Sequence, residues 1–191
     1  MTTAFVLAAA VTLLAAGGPV SWLDAKTPAN WNAAGAALPA RPGPRDRELA
    51  PGGRCATAVR PSTSPEDRAV TQRGWSLVGG YHRFGPTVVV MATSSADGMC
   101  RPNGYQSFVF VNGTFAGTLS PKPMDARTDG ANPNISATLD SATSIEADFA
   151  RYAAQDALCC PHATTTVLYS VTTKSPPRVA PVELMTRTNA P

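Results

Sequence analysis

The pattern of apolar and polar positions predicts a mostly β structure in the middle of the chain. Runs of aromatic and β-branched residues bounded by Gly, Pro, Asn and Asp are typical of strands, and they occur at 75–81, 87–93, 108–111 and 164–171. Asn112-Gly113 suits the two positive φ angles of a type I′ turn. The sequence therefore predicts a tight antiparallel hairpin over 107–119.

One short helix is predicted before the first strand. Ser64-Pro65-Glu66-Asp67 has the order of a helix start, because it supplies a capping hydroxyl, Pro at the first helical position and two acids in the first turn. We expect the helix to run to about Arg73 and to end at Gly74.

The apolar residues around 145–152 fit both the spacing of a helix and the alternation of a strand. Ile145, Phe149 and Tyr152 have helical spacing, whereas Ile145, Ala147 and Phe149 alternate as in a strand. Propensity alone favours the helix.

Both ends of the chain are predicted to lie outside the β-rich part. Residues 4–16 form an uncharged apolar run, shorter than the ~20 residues of a membrane-spanning helix, and small residues follow it. This pattern predicts a signal peptide over 1–17, no membrane span, and no lipid anchor at Gly18, which stands where the lipidated cysteine is required. An extended arm over 18–61 and an extended tail over 174–191 are predicted from their frequent prolines.

Composition limits the class of partner. Sixteen Lys and Arg against 13 Asp and Glu give a net charge of +3 without a basic run, so nucleic acid is not an expected partner. The chain has 18 Pro and 15 Gly, which favours turns and extended segments over a helical bundle.

Four cysteines predict two disulfides and an oxidising compartment. Cys159 and Cys160 are adjacent, and bonding them to each other would close a strained eight-membered ring. The sequence therefore predicts that Cys55 pairs with one member of this pair and Cys100 with the other.

No catalytic motif or metal site is predicted. The sequence lacks G-x-S-x-G, S-x-x-K with its partners, and a cysteine placed with a histidine for nucleophilic catalysis. A zinc site from Cys100, Cys159, Cys160 and His162 has poor spacing. The segment starting at Asp125 fails as an EF-hand because Arg127 and Ser136 replace required ligands. No cofactor is expected.

Two segments resemble the LppP/LprE family of bacterial envelope lipoproteins and its secreted relatives. The likeness covers about 75–172 and is carried by MCRP, FVFV-G-FAGTLSP and RTDG within 97–130, and by D-x-LCCP within 151–171. The resemblance implies an exported β-rich domain without established activity, cofactor or catalytic residues, and it favours a strand at 145–152. The chain departs from the family pattern in two places. His162 follows CCP in place of a small residue. The lipobox cysteine is also missing, so a secreted or periplasmic protein is expected rather than a lipid-anchored one.

The expected fold is α+β and predominantly antiparallel: one twisted sheet over 62–173 with a short N-terminal helix and two disulfides. The expected function is a non-enzymatic envelope domain that contacts an envelope protein or a cell-wall component. Loops held by a rigid scaffold commonly carry binding, and the candidate residues on such loops are Arg101, Tyr105, Asp125, Arg127 and Asp129. Alternatively, these residues only order their loops, or the protein is a secreted hydrolase, a thiol-redox protein or a protease inhibitor.

Overall fold

The computed structural model describes residues 21–35, 37–125, 137–157 and 159–189. One helix, α1, spans Pro65–Gln72, and short 3₁₀ turns lie at Trp22–Asp24 and Ala56–Ala58. The strands are β1 Ser76–Phe84, β2 Thr87–Ala96, β3 Pro102–Val111, β4 Thr114–Thr118, β5 Ala137–Ser141, β6 Ser144–Arg151, β7 Ala163–Thr172 and β8 Arg178–Thr188.

The strands form two antiparallel sheets, so the prediction of a single sheet is wrong. Sheet A has the order β1-β2-β3-β4 and sheet B the order β5-β6-β7-β8. β1 lies beside β5, and β4 lies beside β8. The prediction of a predominantly antiparallel β fold with one short helix is confirmed.

Two sheets form because sheet A has apolar side chains on both faces. Val89 and Val109 point inward and pack with Ile145, Phe149 and Tyr169 of sheet B. The outer face of sheet A carries side chains that pack with Val70 of α1 and Trp75 ahead of β1, namely Val88, Val90, Phe108 and Phe110. Strands buried on both faces have near-continuous apolar sequences, and one extended sheet would leave the inner faces exposed to water.

The predicted hairpin is confirmed between β3 and β4. Asn112 and Gly113 have φ angles of 49° and 74°, in the left-handed region that a type I′ turn requires. The pairing has a bulge opposite Val109 and Phe110, where β4 contains the extra residue Ala116.

The predicted helix cap is also present. The Ser64 hydroxyl accepts from the N–H of Asp67 at 3.0 Å, and the Asp67 carboxylate accepts from the N–H of Ser64 at 3.2 Å, which completes a capping box. Arg60 binds the same buried carboxylate with contacts of 2.6 and 2.9 Å. Burial alone would raise the pKa of Asp67, but Arg60 and the N–H groups of Thr63 and Ser64 lower it to about 2.

This carboxylate predicts an acid-sensitive contribution to stability. A folded-state pKa below the unfolded value gives stability that is present above about pH 4 and is lost as the pH falls toward 2. We expect Asp67→Asn to lower the free energy of unfolding by about 2 kcal/mol at pH 7, with the difference from wild type shrinking between pH 4 and 2. Chemical denaturation across this pH range measures it, and a constant difference would contradict the prediction.

The described part of the arm packs against both sheets. Trp22 contacts Phe149 of β6 edge to face, with ring centroids 5.2 Å apart, and Trp31 contacts both Trp22 and Tyr169. Asn32 is buried and lies between β4 and β8. Its Nδ2 donates to the carbonyls of Thr118 at 2.9 Å and Val179 at 3.1 Å. Its Oδ1 accepts from the N–H of Thr118 at 3.0 Å.

Of two further segments, one has the structure that was expected and the other does not. The strand expected around 145–152 is β6, as the resemblance indicated. The segment 174–191, expected as an extended tail, contains β8, which pairs with β7 along its whole length.

The predicted disulfide pairing is wrong. Cys55 is bonded to Cys100, with their Cα atoms 5.1 Å apart, and Cys159 is bonded to Cys160. The arm returns to the end of sheet A, where Asp46 accepts from the N–H of Ala96 at 2.9 Å, and this brings Cys55 to the β2–β3 loop. Cys159 and Cys160 lie in the β6–β7 loop of the other sheet.

Candidate functional site

The β2–β3 loop, which holds the predicted binding residue Arg101, is tightly ordered by its own side chains. The Asp97 carboxylate accepts from the N–H groups of Met99 and Arg101 at 2.8 and 3.0 Å, and the Arg101 guanidinium binds it at 2.6 Å. These Arg101 contacts hold the pKa of Asp97 below its usual range. Arg101 therefore orders the loop around Cys100.

Tyr105 and Asp125 hold the next part of this region. Tyr105 is fully buried on β3, because it shares the inward face with Val109 and Val111, and burial raises its pKa well above the usual value. Asp125 accepts from the N–H of Gly104 at 2.6 Å. The Tyr105 side chain offers no surface to a partner, and Arg127 and Asp129 lie outside the described residues.

A cleft of about 270 Å³ lies next to this region, between the arm and sheet A. Its walls come from separate parts of the chain, and three aromatic rings line it: Trp31, Trp75 and Phe115. The other lining residues are Asn32, Ala37, Pro39, Ala40, Pro42, Gln106, Thr118, Pro121 and Pro123. We call this the arm cleft.

The polar side chains that line the arm cleft are hydrogen-bonded within the protein. Trp31 Nε1 donates to the carbonyl of Thr118 at 3.0 Å, and Trp75 Nε1 donates to the carbonyl of Pro39 at 2.9 Å. Gln106 Nε2 donates to the carbonyl of Ser120 at 3.1 Å, and its Oε1 accepts from the Ser120 hydroxyl. The cleft therefore presents ring and proline surface to an apolar group.

Two arginines are close in sequence to residues that line the arm cleft: Arg41 stands between Ala40 and Pro42, and Arg73 is two residues before Trp75. The N–H of Arg41 donates to the carbonyl of Arg73 at 3.0 Å, and the Arg41 guanidinium donates to the carbonyls of Pro42 and Pro44. Among the residues that the structure describes, Arg41, Arg45 and Arg73 form no ion pair. Arg45 lines a different hollow together with Asp46, so Arg41 and Arg73 are the two cations of this group that lie beside the arm cleft.

A second hollow surrounds the adjacent cysteines. It holds about 740 Å³ and is lined by Asp156, Cys159, Cys160, Pro161, His162, Thr188 and Asn189. We call residues 156, 157 and 159–162 the CCP loop. His162 Nδ1 lies 2.8 Å from Asp156 Oδ2. The sequence identified these cysteines and His162 as candidate residues. It did not indicate that Asp156 contacts His162, or that the end of β8 lines the hollow.

Metal ligation has no support in the described ranges. No group of three or more His, Cys, Asp or Glu side chains lies together there in a way that could hold an ion. The sulfurs considered for zinc are bonded in the two disulfides.

The comparison with protein families decides the identity of the central segment. A model of the LppP/LprE lipoprotein family matches residues 81–173, from within β1 to just past β7. These residues belong to the LppP/LprE lipoprotein family. The match includes the CCP loop and ends before β8, and it does not reach the arm. No curated protein and no solved structure matches the chain.

Membership of the LppP/LprE family indicates a cell-envelope protein and carries no information on activity. None of the helices in the described part of the chain is long and apolar enough to cross a membrane.

Proposed function

We propose that the protein is a secreted or periplasmic, non-enzymatic binding domain of the cell envelope, and that the arm cleft receives an apolar side chain of an acidic partner protein. The observation that carries the proposal is an aromatic cleft whose polar side chains are hydrogen-bonded within the protein, with Arg41 and Arg73 beside it and in no ion pair among the described residues. Export is supported by the apolar run at 4–16 and by the two disulfides.

The size of the arm cleft favours a single anchoring side chain. At about 270 Å³ it lies just below the usual range for drug-sized ligands. Protein interfaces concentrate their energy in one or two apolar anchors that fill such pockets. Burial of the anchor against Trp31, Trp75 and Phe115 would provide affinity.

The charge of Arg41 and Arg73 beside the cleft favours an acidic surface around that anchor. Arg41 and Arg73 are adjacent through a backbone hydrogen bond, and Arg45 is exposed further along the arm. Complementary charge raises the association rate and excludes wrong partners. Binding should therefore weaken as the salt concentration rises.

Site-specific photo-crosslinking in the native host tests this proposal. Ala40 and Ala34 are both exposed residues of the arm, but only Ala40 lines the cleft. A photoreactive amino acid at position 40 should crosslink one protein, through a peptide in which an apolar residue is flanked by acids. The same amino acid at position 34 should not.

Charge substitutions give the matched control. With the captured partner in hand, Ala40→Glu should weaken binding by about tenfold through repulsion of the acidic surface, whereas Ala34→Glu should leave it unchanged. Thermal unfolding verifies that both variants fold. Equal crosslinking from both positions, attachment to a cell-wall polymer only, or a basic partner would contradict the proposal.

A further inference from the structure

The Cys159–Cys160 bond is unlike a structural disulfide. A disulfide stabilises a fold mainly by closing a loop in the unfolded chain, and adjacent residues close only their own eight-membered ring. Both residues are exposed. Cys55 is fully buried by contrast, and its bond to Cys100 spans 45 residues.

The CCP loop is held in place without this bond. Asp156 Oδ2 accepts from the N–H groups of Ala153 at 2.7 Å and His162 at 3.0 Å. The N–H of Cys160 donates to the carbonyl of Ala157 at 3.0 Å. Opening the disulfide would therefore leave the backbone of the loop supported.

The end of β8 supports the other side of the hollow. Asn189 Nδ2 donates to the carbonyl of Pro161 at 2.8 Å, and the N–H of Asn189 donates to the carbonyl of His162 at 2.9 Å. The Thr164 hydroxyl donates to Asn189 Oδ1 at 3.0 Å. The segment after the cysteines is thus fixed to sheet B.

An acid–base pair lines the same hollow as the two cysteines. The Asp156 carboxylate accepts from the Ala153 N–H and contacts the His162 ring, and these contacts lower its pKa. The carboxylate engages Nδ1 of His162, which leaves Nε2 as the second proton site of the ring. The His162 side chain is 52% exposed, and histidine is the side chain best suited to exchange protons near neutral pH.

We propose that Cys159–Cys160 is a reversible thiol–disulfide exchange site for low-molecular-weight thiols, with His162 as the group that protonates the released sulfur. This activity is independent of partner binding at the arm cleft. It rests on an exposed disulfide with no loop to close, a loop held by other contacts, and a neighbouring Asp156–His162 pair.

The exchange proceeds in two balanced steps. The thiolate of a small thiol attacks one sulfur of the pair, the Cys159–Cys160 bond breaks, and a mixed disulfide forms while the leaving sulfur takes a proton from His162. A second small thiolate then attacks the mixed disulfide at the sulfur of the small thiol. The disulfide of the two small thiols leaves, and the second protein sulfur takes the proton that the second small thiol released. Two small thiols lose two electrons and two protons in total, and the protein pair gains them.

The hollow around the pair suits this class of substrate. Its volume of about 740 Å³ lies within the range of small-molecule sites. Both cysteines are exposed, so a small thiol can approach them without unfolding the domain.

Reduction of the native protein by glutathione, followed by alkylation and peptide mass spectrometry, tests the proposal. Cys159 and Cys160 should become alkylated together, at least ~100-fold faster than Cys55 and Cys100. They should bond to each other again when oxidised glutathione is added. The Cys55–Cys100 bond, in which Cys55 is buried, provides the control within the same molecule.

The variant His162→Asn tests the role of the ring, because Asn can still donate to Asp156 but cannot carry the proton. It should slow reduction by about tenfold or more without changing the thermal midpoint. An unchanged rate would remove His162 from the mechanism. The proposal as a whole is overturned if both disulfides react at the same rate, or if Cys159–Cys160 is reduced only when the protein unfolds.

Discussion

Replacing Cys55 and Cys100 together with alanine should lower the free energy of unfolding by about 4 kcal/mol. The bond closes a loop of 45 residues, and the loss of loop entropy in the unfolded chain scales with the logarithm of that length. The bond also ties the arm to the β2–β3 loop, which Asp97 and Arg101 hold in shape. Denaturant titration of the purified double variant measures the loss.

The matched control is the double variant of Cys159 and Cys160. Since those residues are adjacent, alanine at both should change the free energy of unfolding by no more than about 1 kcal/mol. A larger loss from this pair than from Cys55 and Cys100 would mean that the structural roles of the two bonds are reversed.

Asn32→Leu should lower the free energy of unfolding by about 3 kcal/mol. The substitution keeps the number of side-chain heavy atoms and the branch at Cγ but removes all three hydrogen bonds to Thr118 and Val179. Asn32 is 2% exposed, so water cannot replace those bonds, and each buried group left without a partner costs about 1–3 kcal/mol. Urea titration of the variant and the wild type gives the difference.

Gly117 supplies an independent check on the same contact. Its φ is +141°, and a Cβ at this position would lie 2.4 Å from Asn32 Cγ. Gly117→Ala should therefore destabilise the wild type strongly, and less so when Asn32 is already alanine. Equal effects in both backgrounds would show that Asn32 does not occupy the site between β4 and β8.

Local chemistry accounts for the elements that could be predicted from sequence. Asn112-Gly113 specifies its own turn because few other pairs accept two positive φ angles. The cap at Ser64 and Asp67 likewise depends on residues four positions apart or closer. Such elements are determined within a few residues, so the sequence predicts them well.

The number of sheets could not be predicted in this way. Alternation in 145–149 indicates that one face of β6 is buried, but it does not say against what. The partner of that face is sheet A, whose inward residues are distant in sequence. Cysteine pairing has the same limitation, because it depends on which loops end near each other.

β8 contains a proline, which is unusual for a strand. Pro176, Pro177 and Pro181 predict a segment outside the sheet, yet Pro181 pairs with Tyr169 beside an irregularity in the ladder. Edge strands tolerate proline because one side of the strand has no neighbour. The arm cleft was missed for another reason, since Trp31, Trp75 and Phe115 come together only after the arm folds back.

The most direct test of the account is a disulfide map of the protein recovered from its native host, with thiols blocked during cell lysis. We expect the protein outside the cytoplasm, with Cys55 linked to Cys100 and Cys159 linked to Cys160 or present with it as a reduced pair. Protein that remains in the cytoplasm with all four thiols free, or a bond between Cys55 and either Cys159 or Cys160, would contradict the account.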